Sequence, residues 1–318
     1  MDYINRGNRS TKEGFGIGLL KAGAEHKNII ALGADITASV GVNYFAEKIP
    51  ERFFSLGIAE QNCVGVAAGL ALSGKIPIFS TYGVFAALRT TDQIRISLCY
   101  NNVHAIIGGA HAGISVGPDG ATHQALEDIA IMRVLPNMTV LSPCDATQTE
   151  QAIIAAVEQI KGPVYIRFGR APVPDFIDPN LKFIPGKAQI LTKGTDITLI
   201  ATGHMVWEAL QSAIILEEKG ISTRVINIHT IKPIDKDAII EAAKETKAIV
   251  TLEEHQVQGG FGSAVAEVIV QNHPIPVKMI GIQDRFGESG QPEELMLKYG
   301  LKTEIFTSEI LYFINLLN

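Results

Sequence analysis

FSLGIAEQNCVGVAAGLALSG, Phe54 to Gly74, places a glutamate, Glu60, just after an apolar turn and at the start of a helical window. Small residues then dominate that window: Gly65, Ala67, Ala68, Gly69 and Ala71. Small side chains on a helix let another backbone or another subunit approach closely. An acidic residue in a first helical turn is also ordinary helix chemistry. On its own, the stretch therefore leaves Glu60 open between a structural and a chemical role.

Outward from this segment the chain alternates apolar runs with helical patterns. Strands are expected at Asn28–Leu32, Ile76–Ser80, Val103–Ile107, Met138–Leu141 and Pro163–Arg167. Helices are expected at 11–25, 60–72, 87–100, 123–133 and 146–160. Continuous apolar strands alternating with helices imply a parallel sheet covered on both faces. The run APVPDFIDPNLKFIPG (Ala171 to Gly186) holds four prolines and little periodicity, and reads as an extended linker. Beyond it the pattern repeats on a smaller scale. Strands are expected at 197–201, 223–228, 248–252 and 277–281, and helices at 206–219, 235–246, 262–271, 292–299 and 304–317. The expected organisation is a domain over 1–170, a linker over 171–187 and a second α/β domain over 188–318.

Composition narrows the function classes. The 318 residues are 47% hydrophobic and 19% charged, as in a globular protein large enough to need no staples. The net charge is −6 and no Lys/Arg run forms a nucleic-acid footprint. No run approaches the ~18 apolar residues of a membrane helix, and the polar start MDYINRGNRSTKEG lacks a signal-like stretch. Cys63, Cys99 and Cys144 are scattered in apolar surroundings and read as core residues of a reduced, cytoplasmic protein.

The stretch GIAEQN resembles the pyrimidine-binding domain of the transketolase family. Further similar motifs follow in order: FSTYGVFAALRTTDQIR (Phe79 to Arg95), GAHAGISVGPDGATHQALED (Gly109 to Asp128), YIRFGR (Tyr165 to Arg170), TIKPID (Thr230 to Asp235) and EEHQVQGGFGSAVAE (Glu253 to Glu267). The resemblance covers nearly the whole chain but only the C-terminal half of a full-length transketolase. It implies a pyrimidine-binding α/β domain followed by a transketolase C-terminal-like α/β domain. It also implies transfer of a two-carbon ketol unit from a ketose to an aldose phosphate with thiamine diphosphate.

By that resemblance Glu60 hydrogen-bonds a ring nitrogen of the coenzyme's aminopyrimidine, and burial against an aromatic ring would suit it to share a proton. Phe85 is the stacking residue, and Tyr82, Ile58 and Asp35 line the coenzyme. His111, Asp119 and His123 contact the sugar, and both imidazoles would assist proton transfer because imidazole titrates near neutral pH. Lys12, Ser39 and Arg170 hold the terminal phosphate. On residue type alone, Phe85 reads as core and the histidines as surface-loop residues.

Two departures stand out. Thr11–Lys12 replaces the family's threonine–arginine pair, which keeps charge but loses a bidentate fork and leaves phosphate, sulfonate or a smaller group open. The interval Phe85 to Asp92 is one residue longer than in some members, so Arg89 has no clear counterpart. Arg167 is the alternative to Arg170 for the phosphate contact, with Arg170 preferred by its spacing to Pro172; His255 reads as a structural or subunit-contact residue, and His229 has no assigned role.

The family's diphosphate site, a Gly-Asp-Gly with a later asparagine, is absent; the nearest string is Pro118-Asp119-Gly120. The resemblance therefore implies a partner subunit that binds the diphosphate through Mg2+ or Ca2+, with no metal on this chain, in an assembly of two copies of each. The β subunit of a 2-oxo acid dehydrogenase decarboxylase has the same size and domain order. A 1-deoxyxylulose-5-phosphate synthase and a non-catalytic regulatory subunit are the remaining readings.

Overall fold

Apolar runs and helical windows pair up into two α/β layers in a computed structural model that describes residues 3–317. In the first half the strands are β1 (Asn8–Ser10), β2 (Ile29–Gly33), β3 (Phe53–Ser55), β4 (Ile76–Tyr82), β5 (Ile106–Ala110), β6 (Thr139–Leu141), β7 (Val164–Arg167) and β8 (Pro172–Pro174). In the second they are β9 (Gln189–Thr192), β10 (Ile197–Ala201), β11 (Thr223–Asn227), β12 (Thr230–Lys232), β13 (Ala248–Gln256) and β14 (Val277–Ile282). One sheet has the order β12-β6-β7-β5-β4-β2-β3 and the other β14-β13-β10-β11-β9. Pairing in both is parallel except at one edge of each sheet, where β12 and β9 run antiparallel to their neighbours. β2, β5 and β7 are buried at every position, as strands covered on both faces must be.

Helices 11–25 and 60–72 fall where the periodicity puts them. The first starts where it does because the Ser10 hydroxyl accepts the Glu13 backbone N–H at 3.2 Å, satisfying one free helical donor. Asp145 caps the helix Ala146–Glu158 in the same way, at 2.7 Å from the Gln148 N–H.

Three of the expected elements need correction. The strand expected from Val103 begins only at Ile106, because the Val103 N–H still closes the preceding turn on Leu98 O. Of the helix expected over 123–133, only Asp128–Val134 is helical. The Gln124 amide donates to the carbonyls of Ile114, Gly117 and Glu288, which holds that stretch as a loop. The helix expected over 87–100 is two π turns, Phe85–Arg89 and Ile94–Tyr100, around a short α segment.

The segment 171–187 is packed against the rest of the chain. β8 pairs antiparallel with β1, the Asp175 carboxylate accepts from Arg9 and Thr147, and Phe176, Ile177 and Phe183 are buried. The halves at 1–170 and 188–318 are also not cleanly cut. TIKPID supplies β12, which leaves the second half to edge the first sheet beside β6. Met1, Asp2 and Asn318, the outer ends of those halves, lie outside the described residues. No described helix is long and apolar enough to cross a membrane.

Helices 11–25 and 146–158 pack closely through glycine. A Cβ on Gly14 would collide with the Ala146 carbonyl, and one on Gly18 with the Ile153 side chain. Gly65, on helix 60–72, has nothing within 4 Å of the same position. Gly14→Ala should therefore destabilise the isolated chain by about 2 kcal/mol, a few degrees of Tm. Gly65→Ala should hold or raise Tm, by about 0.5–1 kcal/mol of helix propensity. Thermal unfolding of both variants tests this; equal shifts would mean that the close approach at Gly14 carries no packing constraint.

Candidate active site

The carboxyl ends of five neighbouring parallel strands converge on one edge of the large sheet, where open α/β sheets place their ligands. Arg170 follows β7, His111 follows β5, Tyr82 ends β4 with Phe85 just beyond, Asp35 follows β2, and Glu60 follows β3. Residues separated by up to 135 positions thus share one edge because the strand order interleaves them.

Glu60 is 3% exposed at the head of its helix. Its partner is Arg89, whose Nη1 donates to Oε1 at 2.7 Å. The Arg89 guanidinium also lies over Phe85, 4.1 Å from the ring centroid. Tyr82 sits at the centre of the remaining cluster: its ring centroid is 5.8 Å from Phe85, 4.3 Å from His111 and 5.5 Å from His123. Phe85 and His123 meet edge to face at 5.4 Å. The structure thus brings Glu60, Phe85, Tyr82, His111 and His123 together, with Arg89 as the link between the acid and the aromatic face.

His111 takes a left-handed backbone, φ 52°, which aims the ring into this cluster, and it is 4% exposed. Its Nδ1 is buried with no protein hydrogen-bond partner. Burial foremost, then the nearby Arg170 and Lys12 cations, hold its pKa down to about 4. That burial favours the neutral imidazole of His111 at pH 7. His123 is half-buried and its Nδ1 lies 2.9 Å from the Thr122 hydroxyl.

The cationic side is looser. Arg170 is exposed and pairs with Asp119 at 2.8 Å, joining two residues that the sequence assigned to different parts of a substrate. Lys12 is half-buried and makes no ion pair among the described residues. Thr11 is tied to the same loop, accepting the Gly169 N–H at 2.8 Å. Asp35 (φ 64°) is exposed, Ser39 half-exposed, and Ile58 74% exposed on the turn before Glu60; none of the three makes a side-chain hydrogen bond or ion pair among the described residues.

Arg167, left open beside Arg170, is not available to a ligand. It is fully enclosed and bonds both Asp128 oxygens and the carbonyls of Ala125 and Glu254. His255 belongs to the same network: Nδ1 donates to Gln256 O at 2.7 Å, so Nε2 accepts from the Ala130 N–H. His229 is buried against Phe183, ring centroids 4.0 Å apart. All three cysteines are buried and free, with Cys63 and Cys99 pushed up to about 11, chiefly by burial. Glu25, His26 and Glu158 are the one described cluster with metal-ligand spacing. It lies on the surface, and His26 and Glu158 pair at 3.2 Å.

Two family models cover the chain: the transketolase pyrimidine-binding domain matches residues 8–175 and the transketolase C-terminal domain residues 186–305. The chain belongs to the transketolase family. A solved structure described as a split gene transketolase, inactive beta4 tetramer, is 47% identical. It superposes with a TM-score of 0.90 over 97% of this chain and 99% of that one. An apulose-4-phosphate transketolase subunit from Phocaeicola vulgatus is 41% identical, covering 93% of this chain and 95% of that protein. A 6-deoxy-6-sulfo-D-fructose transketolase subunit from Clostridium sp. (strain MSTE9) is also 41% identical, covering 89% and 88%. The transketolase family generally uses thiamine diphosphate, and these relatives are themselves subunit-sized chains.

Within this transketolase-family chain, sequence reading misses the role of Arg89. The signal in the sequence was the interval Phe85 to Asp92, which left Arg89 without a clear counterpart and which folds here into a π turn over Phe85–Arg89. The neutral His111 can be checked directly. Imidazole 15N shifts should report a midpoint near 4, and a midpoint near 6.5 would show a water-exposed ring. Between about pH 4 and 6.5 the unfolded chain binds a proton that the folded His111 refuses, so this group withdraws stability as pH falls through that window.

Proposed function

We propose that this chain is the half of a two-chain transketolase that holds the aminopyrimidine of thiamine diphosphate, with Glu60 as its essential acid. The observation that carries the reading is the pairing of Glu60 with a flat nitrogen-bearing group stacked on Phe85. That slot accepts a planar group with a donor edge, which is the shape and chemistry of an aminopyrimidine. The residues present therefore fit the ring portion of the coenzyme. Nothing in the sequence offers the Gly-Asp-Gly pattern for its diphosphate, which is assigned with Mg2+ or Ca2+ to a partner subunit.

Bound coenzyme supplies the nucleophilic carbon for breaking and making carbon–carbon bonds. This chain's residues bind and orient around it. Glu60 shares a proton with the ring nitrogen, and Phe85 supplies the stacking face, with Tyr82 beside it. Ile58 and Asp35, on the loops after β3 and β2, are assigned to the coenzyme's outer contacts. Neutral His111 offers its unpaired Nδ1 to a substrate oxygen, while His123 and Asp119 line the sugar path.

Lys12, Ser39 and Arg170 seat the substrate's terminal anion. Lysine gives a point charge without a bidentate fork, so a tetrahedral phosphate or sulfonate both suit the seat. Relatives named for a phosphate sugar and for a sulfonate sugar support leaving both in the substrate class. Ketol transfer from a ketose phosphate or sulfonate to an aldose phosphate is the proposed reaction.

The active species is proposed to hold two copies of each subunit. Gly65, Gly69 and Leu72 form an open strip on the helix behind Glu60, suited to a close symmetric contact. The relative described as an inactive β4 tetramer supports the need for a second kind of chain. Three unpaired buried thiols suit a cytoplasmic setting.

Ketol transfer should appear only when this chain, the diphosphate-binding subunit, thiamine diphosphate and Mg2+ are combined. Glu60→Gln should leave assembly unchanged by sedimentation and lower kcat by about a hundredfold or more. Wild-type turnover in that variant, or no transfer over a panel of phosphorylated and sulfonated ketoses, would refute the assignment.

A further inference from the structure

Arg89 makes both contacts that the proposed site reserves for the aminopyrimidine. A flat group touching the Phe85 face and Glu60 at once must lie where this guanidinium lies, 4.1 Å from the ring centroid and 2.7 Å from Oε1. A guanidinium is planar, delocalised and edged with N–H donors, so it satisfies an aromatic face and a carboxylate just as a nitrogen heterocycle does. The two cannot occupy that position together.

The backbone fixes where the arginine starts from, and the side chain is free to leave. Phe85 to Arg89 is a π turn that sets the two residues at its ends. Thr90 Oγ1 donates to Ala86 O at 2.6 Å, Thr91 Oγ1 donates to Ala87 O, and Gln61 Nε2 from the Glu60 helix donates to Arg89 O at 3.2 Å. These bonds anchor the turn. The Arg89 side chain itself is 43% exposed, against 3% for Glu60. Rotating a long side chain towards water needs no backbone change, whereas Glu60 has nowhere else to go.

We infer that Arg89 is a displaceable internal plug. It neutralises buried Glu60 until the coenzyme ring takes over the stack and the hydrogen bond, whereupon the guanidinium swings out to solvent. The inference rests on the coenzyme role proposed for Glu60 and Phe85. A buried carboxylate left without a partner is strongly destabilising, so the plug keeps the coenzyme-free chain sound. It also lowers coenzyme affinity, because only the unplugged fraction can bind.

Two measurements test the plug. Unfolding of the isolated chain without coenzyme, in a cycle of Arg89→Met, Glu60→Gln and the double variant, reads the pair directly. Arg89→Met should lower Tm in the wild-type background and change it little beside Glu60→Gln. Arg89→Lys, which keeps charge and loses the flat stack, should fall between. Calorimetric titration of thiamine diphosphate with Mg2+ into the assembled complex should then show about tenfold tighter binding for Arg89→Met, as expected if the slot is plugged about nine-tenths of the time.

Additive Tm effects, or coenzyme binding that is unchanged or weaker in Arg89→Met, would overturn the plug while leaving the coenzyme site standing. No coenzyme binding in either wild type or variant would overturn the coenzyme site, and the plug with it, whatever the unfolding cycle shows.

Discussion

A single buried guanidinium holds the candidate-site edge of this fold in place. Arg167, at the end of β7, grips both oxygens of Asp128 and the backbone carbonyls of Ala125 and Glu254. Tyr165, two residues earlier, donates to the same Asp128 at 2.8 Å. The loop from His111 to His123 lies between β5 and that aspartate, so its far end is pinned to the sheet. Glu254 belongs to the second half, and its carboxylate also accepts the Ser115 N–H, from inside the loop. One charge therefore ties together the first sheet, the loop and the second half. Removing either member of so enclosed a pair costs about 3–5 kcal/mol, since the other is left buried and unpaired.

The electrostatics of the candidate site follow from how little water reaches it. The acid, Glu60, is buried and paired, and the imidazole of His111 is buried and kept neutral by burial and by two cations. Of the two cations, Lys12 is half-buried without an ion pair among the described residues, and Arg170 is exposed and paired with Asp119. Burial favours the neutral form of His111, which leaves one ring nitrogen to accept a hydrogen bond and the other to donate one.

The π turn at Phe85–Arg89 sets the Arg89 guanidinium over the Phe85 ring, while Leu98 and Cys99, in the second π segment, pack into the core.

Sequence alone determined the layered α/β plan, because buried parallel strands must be continuously apolar and their covering helices must show helical periodicity. β2, β4, β7, β10 and the helices 11–25 and 60–72 were all legible for that reason. The family was legible from ordered motifs. Short edge elements were not: β1, β3, β8, β9 and β12 are too brief or too proline-rich to carry a period, and exist because a neighbouring strand offers them hydrogen bonds. Motifs named Glu60, Phe85 and the two histidines as candidates, but only the tertiary structure decided what faces each of them. It gave Glu60 to Arg89, enclosed Arg167 and left Arg170 outside, and kept His111 neutral. Ionic partners and depth of burial depend on distances across strands far apart in the chain, and no local pattern of residues encodes those.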